Sequence, residues 1–276
     1  MPDQSKNMTC PNVADGVLLS IENSIATLTL NSASTRNSLD GVMVAALNAR
    51  LDDVWAVRDE LKGLLLCADG DHFMVGGDIR YFESLLGAPQ ALHGGIGTLI
   101  ADFNKTVSRI DALPFPVIAL VQGAVAGAGL SLALTCDMIV AADDARFVMA
   151  YSALGATPDG GGSWQLPRRV GQQRAMHMFL FNEALDADRA FKAGLVAQVV
   201  ERAALAHTRD DMARRLAGGS RLAQNAGKAL MRSGRHADLA TALENERAQF
   251  LELAVHADFD EGVKAFIQKR APRFTL

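Results

Sequence analysis

The chain has 276 residues, 49% of them hydrophobic and 21% charged, with a net charge of −4. This composition is that of a globular protein long enough to bury a large core. The acidic balance argues against a nucleic-acid partner, since nucleic-acid binding usually leaves a basic footprint. No run approaches the roughly 18 apolar residues of a spanning helix, so we expect no membrane partner either.

The cysteines and histidines give no sign of a metal site. Cys10, Cys67 and Cys136 are scattered singly, and the six histidines show no metal-ligand spacing. This pattern argues against disulfides and zinc and fits a reducing compartment. Residues 1–13 form a polar leader without the apolar core of a secretory signal, so we expect a cytoplasmic protein.

After the leader, the pattern predicts a β-hairpin with strands at 17–21 and 25–30 around the turn Glu22-Asn23-Ser24. Ser38 is a predicted N-cap, and apolar residues at helical spacing predict an amphipathic helix over 39–58. A strand follows at 62–67. This order repeats loosely to about residue 200, with later strands predicted at 117–121, 138–142 and 197–200.

Glycines stand just past the strand at 62–67, in the segment Phe73-Met74-Val75-Gly76-Gly77-Asp78-Ile79. An aspartate after two glycines is a common turn residue, so Asp78 is expected to hold this loop. Residues 83–113 are predicted to be mostly helical, with breaks at 87–89 and 94–95. Such a segment is either a mobile lid, in which His93 is of interest, or a plain surface connection.

The stretch from Phe115 to Asp137 is the one around which the chain is organised. An apolar strand at 117–121 passes through Gly123, Gly127 and Gly129 into an Ala/Leu-rich helix. The first N–H groups of a helix have no partner inside it and lie at the positive end of its dipole. Small residues let a ligand approach these groups, so this turn is either an anion or oxyanion site or simply a tight packing turn.

A third segment, residues 147–164, places Asp159 between Pro158 and three glycines. The carboxylate could therefore face a pocket. Taken alone, a Pro-Asp-Gly sequence more often marks a turn, or the N-cap of the helix predicted to begin near Ser163.

Beyond Gly171 the pattern is almost entirely helical, and a domain boundary is predicted near Ala204. Ser220, Asp238 and Asp258 are candidate caps or turn residues. Helices are predicted at 172–181, 186–193, 202–217, 221–232 and 238–270.

The three glycine-bearing segments, in this order and spacing, resemble the enoyl-CoA hydratase/isomerase (crotonase) superfamily from about Val17 to the C-terminus. The resemblance implies an α/β fold, a crotonase spiral of β-β-α units over residues 14–204, followed by a helical trimerisation region over 205–276. It implies a homotrimer or a hexamer built as a dimer of trimers. The implied substrate is an acyl-CoA thioester, and no permanently bound cofactor is expected.

Chemistry at the carbon next to a thioester passes through an enolate, whose oxyanion two preorganised N–H groups can stabilise. The resemblance places these donors at Gly77 and Ala128. It implies a basic CoA contact at Arg36, and it implies that Lys269 or Arg270 reaches the ligand of a neighbouring subunit; plain surface charges are the alternative. The substrate- or CoA-binding residues expected in total are Arg36, Ser38, Gly76, Asp78, Ile79, Ser131, Tyr151 and Lys269.

The hydratases of this superfamily use two glutamates, which the resemblance places at Ser131 and Tyr151. Both carboxylates are missing, and a hydroxyl of ordinary pKa is a poor substitute base. The sequence therefore argues against hydration. An aspartate at the position of Asp159 is the acid/base of ring-epoxide isomerases of phenylacetyl-CoA derivatives and the nucleophile of 4-chlorobenzoyl-CoA dehalogenases.

The dehalogenase also uses a histidine where this chain has Asn104 and a tryptophan where it has Tyr151. The motifs at 147–150, 158–164 and 261–274 look like those of the epoxide isomerase. We therefore expect an acyl-CoA isomerase in which Asp159 moves a proton. The alternatives are a 2-enoyl-CoA hydratase and a catalytically silent acyl-CoA-binding or RNA-binding member, the last disfavoured by the acidic charge.

Overall fold

The computed structural model describes residues 8–9 and 16–275. Its main sheet contains seven strands, and a smaller sheet contains three. In chain order the strands are β1 (Met8–Thr9), β2 (Val17–Glu22), β3 (Ile25–Leu30), β4 (Gly63–Ala68), β5 (Val117–Val121), β6 (Ala124–Ala126), β7 (Met138–Ala142), β8 (Arg146–Val148), β9 (Leu185–Asp186) and β10 (Gln198–Val200). The polar leader predicted over 1–13 lies outside the described residues except at β1, which pairs antiparallel with β2.

The helices lie between and after these strands. In chain order they are α1 (Gly41–Ala56), α2 (Ile79–Ser84), α3 (Pro89–Asp111), α4 (Ala128–Thr135), α5 (Gly162–Val170), α6 (Gln172–Phe181), α7 (Ala187–Lys192), α8 (Leu205–Ala217), α9 (Arg221–Ser233), α10 (Leu239–Ala254) and α11 (Ala257–Ile267). None of the helices in the described part of the chain is both long enough and apolar enough to span a bilayer.

The main sheet runs in the order β1-β2-β3-β4-β5-β7-β10. The predicted hairpin is confirmed, with β2 antiparallel to β3, and β3, β4, β5, β7 and β10 are mutually parallel. In the smaller sheet β8 pairs parallel with β6 and antiparallel with β9. Parallel strands leave their carboxyl ends at one edge of the sheet, and the first two glycine-bearing segments follow β4 and β5 at that edge. The third follows β8 of the smaller sheet.

Alternate side chains of the central strands pack on opposite faces of the sheet. Leu64 and Leu66 of β4 belong to the larger core, which also contains side chains of α1, α3 and α4. Leu65 belongs to a smaller core on the other face, which α8 covers with Met212. Because both faces are buried, the strands read as continuous apolar runs rather than as an alternating pattern.

Three local predictions are wrong. Asp40 caps α1 by accepting from the Met43 N–H, so Ser38 is not the N-cap. α3 continues through the predicted break at 94–95, because its buried face packs against α1 and outweighs the low helix propensity of glycine. The helix predicted over 238–270 is two helices, separated at His256, which caps α11.

Candidate active site

The turn at Gly76-Gly77 lies directly against the turn at Gly127-Ala128. Met74 connects them: its N–H donates to the Ala124 carbonyl at 3.1 Å, and its carbonyl accepts from the Ala126 N–H at 3.0 Å. A Cβ added to Gly127 would lie 3.6 Å from the Gly76 Cα. Gly127 also has φ of 51° and ψ of −119°, a backbone conformation that favours glycine.

Both predicted donors are available at this junction. Among the described residues, neither the Gly77 N–H nor the Ala128 N–H donates a hydrogen bond. Ala128 is the first residue of α4, so its N–H lies at the positive end of a helix and has no partner within it. Ala128 is only 3% exposed, which places this N–H in surroundings where it interacts strongly with a ligand oxygen.

The Gly77 turn is held from both sides. The Leu39 N–H donates to the Gly76 carbonyl at 2.7 Å, and the Asp78 N–H donates to the Leu39 carbonyl at 3.0 Å. The Asp78 side chain caps α2, where it accepts from the Arg80 N–H at 2.9 Å. The expected loop-holding role of Asp78 therefore has a direct structural basis, and the Phe82 ring covers Gly77 from the α2 side.

Asp159 reaches the same region through Tyr151. The Tyr151 hydroxyl donates to Asp159 Oδ1 at 2.6 Å, and the Ser131 hydroxyl donates to the Asp159 carbonyl at 2.9 Å. A Cβ on Gly127 would lie 4.0 Å from Tyr151 Cζ, so the carboxyl group and the α4 turn flank the same tyrosine. The cap of α5 is Gly161, which rules out Asp159 as a helix cap.

Glycines after Asp159 let its segment pack against two helices. A Cβ on Gly160 would overlap the Phe103 ring of α3, and one on Gly162 would lie 2.6 Å from the Ser131 hydroxyl of α4. The bend that carries the carboxylate inward therefore depends on the absence of side chains here.

The environment of Asp159 disfavours its charged form. Burial raises the pKa of the Asp159 carboxyl above its ordinary value of 3.8, and the hydrogen bond from Tyr151 opposes this in part. Burial also raises the pKa of the Tyr151 phenol, with the neighbouring Asp159 charge acting in the same direction. A half-buried carboxylate with a raised pKa is suited to accept and return a proton.

Comparison with known proteins places this geometry in a family. Residues 20–276 match the sequence profile described as "Enoyl-CoA hydratase/isomerase". The chain belongs to the enoyl-CoA hydratase/isomerase family. It is 38% identical to 1,2-epoxyphenylacetyl-CoA isomerase of Escherichia coli over 94% of this chain and 98% of that protein. It is 32% identical to 2,3-dehydroadipyl-CoA hydratase of the same species over 94% and 98% of the two chains.

The fold agrees with the crotonase superfamily predicted from the motifs. The crystal structure of an enoyl-CoA hydratase from Polaromonas sp. JS666 matches with a TM-score of 0.85 and 32% identity, covering 94% of this chain and 99% of that one. The relatives carry both isomerase and hydratase names, so membership of the enoyl-CoA hydratase/isomerase family does not by itself select the reaction.

Sequence reasoning missed the residues that fix the site loops of this family member. Asn37 is fully buried; its side chain accepts from the Ser32 N–H at 2.7 Å and donates to the carbonyls of Asp69 and His72 at 3.0 and 2.9 Å. His72 Nδ1 in turn accepts from the Ala124 N–H at 3.1 Å. No sequence signal singled out this network, because Asn37 is one of several polar residues in its loop.

Several predicted binding residues lie apart from the Asp159 cluster or make no contact with it. Arg36, Ile79 and Lys269 are exposed, whereas Ser38 is buried beside Asn37. The Arg270 guanidinium makes a bidentate pair with Glu261, at 2.6 and 2.9 Å. Their proposed contacts with CoA, or with the ligand of another subunit, stay predictions, as does a role for the exposed His93.

Proposed function

We propose that this chain is an acyl-CoA isomerase that moves a double bond, or opens an epoxide, next to the thioester of an enoyl- or aryl-acetyl-CoA. The observation that carries the proposal is the identity of the groups around Asp159. The resemblance places the two hydratase glutamates at Ser131 and Tyr151. The Ser131 hydroxyl donates to the Asp159 backbone carbonyl and the Tyr151 hydroxyl to its carboxylate. One carboxylate is left to do the proton chemistry.

In the proposed reaction the thioester oxygen accepts hydrogen bonds from the Gly77 and Ala128 N–H groups. Asp159 takes a proton from the α-carbon, and the negative charge passes to the oxygen held by these donors. Removing one such donor in another enzyme costs about 2.7–4 kcal/mol of transition-state stabilisation. With a 3-enoyl thioester, Asp159 then returns the proton two carbons away, so the double bond moves and the composition is unchanged.

A single carboxyl group supports this sequence better than it supports hydration. In the hydratases of this superfamily, the resemblance implies, two glutamates divide the positioning and activation of water between them. Here the raised pKa of Asp159 suits both halves of a proton transfer, since the group must first accept a proton and then release it.

The C-terminal helices support the proposal of a homotrimer or hexamer. A groove of about 510 Å³ runs among α9, α10 and α11 and is lined mainly by apolar side chains. Phe266 of α11 is 86% exposed and Val255, which follows α10, is 89% exposed, which is unusual for large apolar residues in a monomer. Light scattering at several concentrations tests this: a monomer at all of them would contradict the proposed assembly.

The function is tested by α-proton exchange in deuterated water, with a 3-enoyl-CoA and with phenylacetyl-CoA. The natural protein should exchange the α-proton or move the double bond. Asp159→Asn should lose about 10²–10⁴-fold in rate, the usual contribution of general acid–base catalysis, while calorimetry shows that thioester binding survives. Exchange at the natural rate in Asp159→Asn would overturn the proposal. Binding without exchange in either protein would favour the silent acyl-CoA binder.

A further inference from the structure

Two hydroxyl groups, those of Ser131 and Tyr151, lie beside Asp159, and each has one proton. The Ser131 hydroxyl has one proton, which it donates to the Asp159 backbone carbonyl at 2.9 Å. The Tyr151 hydroxyl has one proton, and its shortest contact, at 2.6 Å, is with Asp159 Oδ1. The Ser131 and Tyr151 oxygens are 3.4 Å apart, too long for the stronger bond. The Tyr151 hydroxyl therefore donates its proton in a hydrogen bond to the carboxylate.

This hydrogen bond makes the two carboxylate oxygens unequal as bases. Oδ1 accepts the Tyr151 proton, whereas Oδ2 has no side-chain partner among the described residues. An oxygen that already accepts a short hydrogen bond is the weaker base of the pair, so the incoming proton goes to Oδ2. The same bond fixes the plane of the carboxyl group.

We propose that Tyr151 is a positioning residue for Asp159, whose hydroxyl occupies Oδ1 so that Oδ2 alone takes the proton from the substrate and returns it. This inference rests on the proposed isomerase function and deepens it. No bond to Tyr151 forms or breaks in the cycle: the proton leaves the α-carbon, resides on Oδ2, and is delivered to the acceptor carbon while the phenol stays protonated.

The protein holds Tyr151 rigidly enough for this task. The ring is 8% exposed, and the residue immediately precedes a 3₁₀ turn at Ser152–Leu154. The Ser152 hydroxyl donates to the Phe179 carbonyl at 2.5 Å and accepts from the Asn182 side chain at 2.8 Å. These bonds hold the turn against the end of α6. The backbone from which the Tyr151 side chain extends is therefore fixed in position.

Burial raises the pKa of Asp159 most strongly, and the hydrogen bonds from Tyr151 and from the Asp159 backbone N–H oppose this rise. The α4 side contributes Ser131, and the α3 side contributes Phe103 and Val107 near Gly160 and Gly161. None of these side chains titrates. Tyr151 is the ionisable residue that acts on the carboxyl group, and its hydrogen bond favours the charged form. Removing the hydroxyl must therefore raise the pKa of Asp159 further.

The test compares Tyr151→Phe with Tyr81→Phe, which alters the chain's only other tyrosine. In the pH profile of kcat/KM for α-proton exchange, the acid limb reports the ionisation of the base. Tyr151→Phe should shift that limb to higher pH and lower kcat about tenfold or more, with the thioester Kd changed less than about twofold. Tyr81→Phe should keep the natural profile.

A second variant tests the positioning role if Tyr151→Phe does not fold. Incorporating 3-fluorotyrosine at 151 preserves the ring and the hydroxyl and makes the hydroxyl a stronger donor. The acid limb should then shift to lower pH, opposite to the phenylalanine variant. A purely structural role for Tyr151 predicts no movement in either direction.

The outcomes separate this inference from the function on which it rests. If Asp159→Asn loses exchange but Tyr151→Phe keeps the natural kcat and acid limb, the positioning role is wrong and the isomerase proposal stands. If Asp159→Asn exchanges normally, the isomerase proposal itself fails. A shift of the acid limb with the expected sign in both Tyr151 variants supports the positioning role.

Discussion

Gly129 packs so closely on Met74 that a Cβ added to it would lie 2.5 Å from the Met74 carbonyl oxygen. The same carbonyl accepts the Ala126 N–H at 3.0 Å. Gly129 follows one proposed oxyanion donor, Ala128, and Met74 precedes the other, Gly77. The missing side chain therefore sets how closely the two turns approach.

Gly129→Ala should separate the two turns, because the clash is with backbone and no rotamer change relieves it. We expect a loss of about 1–3 kcal/mol in the free energy of unfolding, the usual range for overpacking. The α-proton exchange rate should fall by more than the decrease in the folded fraction accounts for. Urea denaturation and the α-proton exchange assay measure the two effects, and natural exchange activity in a folded Gly129→Ala protein would contradict the proposed spacing.

Gly97→Ala is the matched control. Gly97 lies inside α3, and a Cβ there has no neighbouring atom within 4 Å. Replacing a helical glycine by alanine without a clash should stabilise the protein by about 0.5–1 kcal/mol. Activity should be retained.

Asn37→Asp should destabilise the site loops. The substitution keeps the acceptor for the Ser32 N–H but replaces two donated bonds with a carboxylate facing the carbonyls of Asp69 and His72. Leaving buried groups unpaired costs about 1–3 kcal/mol each, and more where a charge is involved. We expect a loss of at least about 2 kcal/mol by urea denaturation, and a change below about 0.5 kcal/mol would show that the loop relaxes freely.

Asp137→Asn should destabilise the protein more than Lys228→Met. Asp137 pairs with Lys228 at 2.7 Å and with Arg232 at 2.9 Å, and the Lys228 side chain is only 7% exposed. Burial lowers the pKa of Lys228, so its charge depends on this partner. Removing one member of such a pair costs about 3–5 kcal/mol, and partial exposure of Asp137 makes about 3 kcal/mol the expected loss.

Lys228→Met removes the buried charge together with its need for a partner, and Arg232 still pairs with Asp137. A loss near 1 kcal/mol is expected from the missing bond to the Phe115 carbonyl. Thermal or urea unfolding of both variants measures the difference. Equal losses would mean that the packing of the lysine stem, rather than its charge, stabilises this junction.

Asp159→Asn should stabilise the folded chain, and more so at neutral than at acidic pH. A carboxyl whose pKa is raised in the folded state binds its proton more tightly there than in the unfolded chain. Its contribution to stability is therefore present at low pH and is lost as the pH rises through the interval above 3.8. Urea denaturation at pH 4 and pH 7 should show the larger gain at pH 7. The same gain at both would contradict a raised pKa.

The sequence by itself determined the elements whose signal is local. Apolar runs gave β4, β5 and β7 within one residue, since a strand buried on both faces needs no partner to be recognised. The hairpin pattern around its turn gave β2 and β3. Ser220 and Asp238 cap the helices that follow them, as expected from their side chains. The order of three short glycine-bearing segments predicted the glycine turns and, by resemblance, the family.

Only the tertiary structure decided which residues meet. The hydrogen bond between Tyr151 and Asp159 joins residues on either side of a 3₁₀ turn, and no sequence spacing predicts that they meet. The side chain of Asn37 bonds to residues 32 and 35 positions away in the chain. α3 remained continuous through two glycines because packing against α1 outweighs local propensity. The pattern of residues along the chain indicates the secondary structure that each segment favours. The contacts that orient Asp159 depend instead on how those segments pack together.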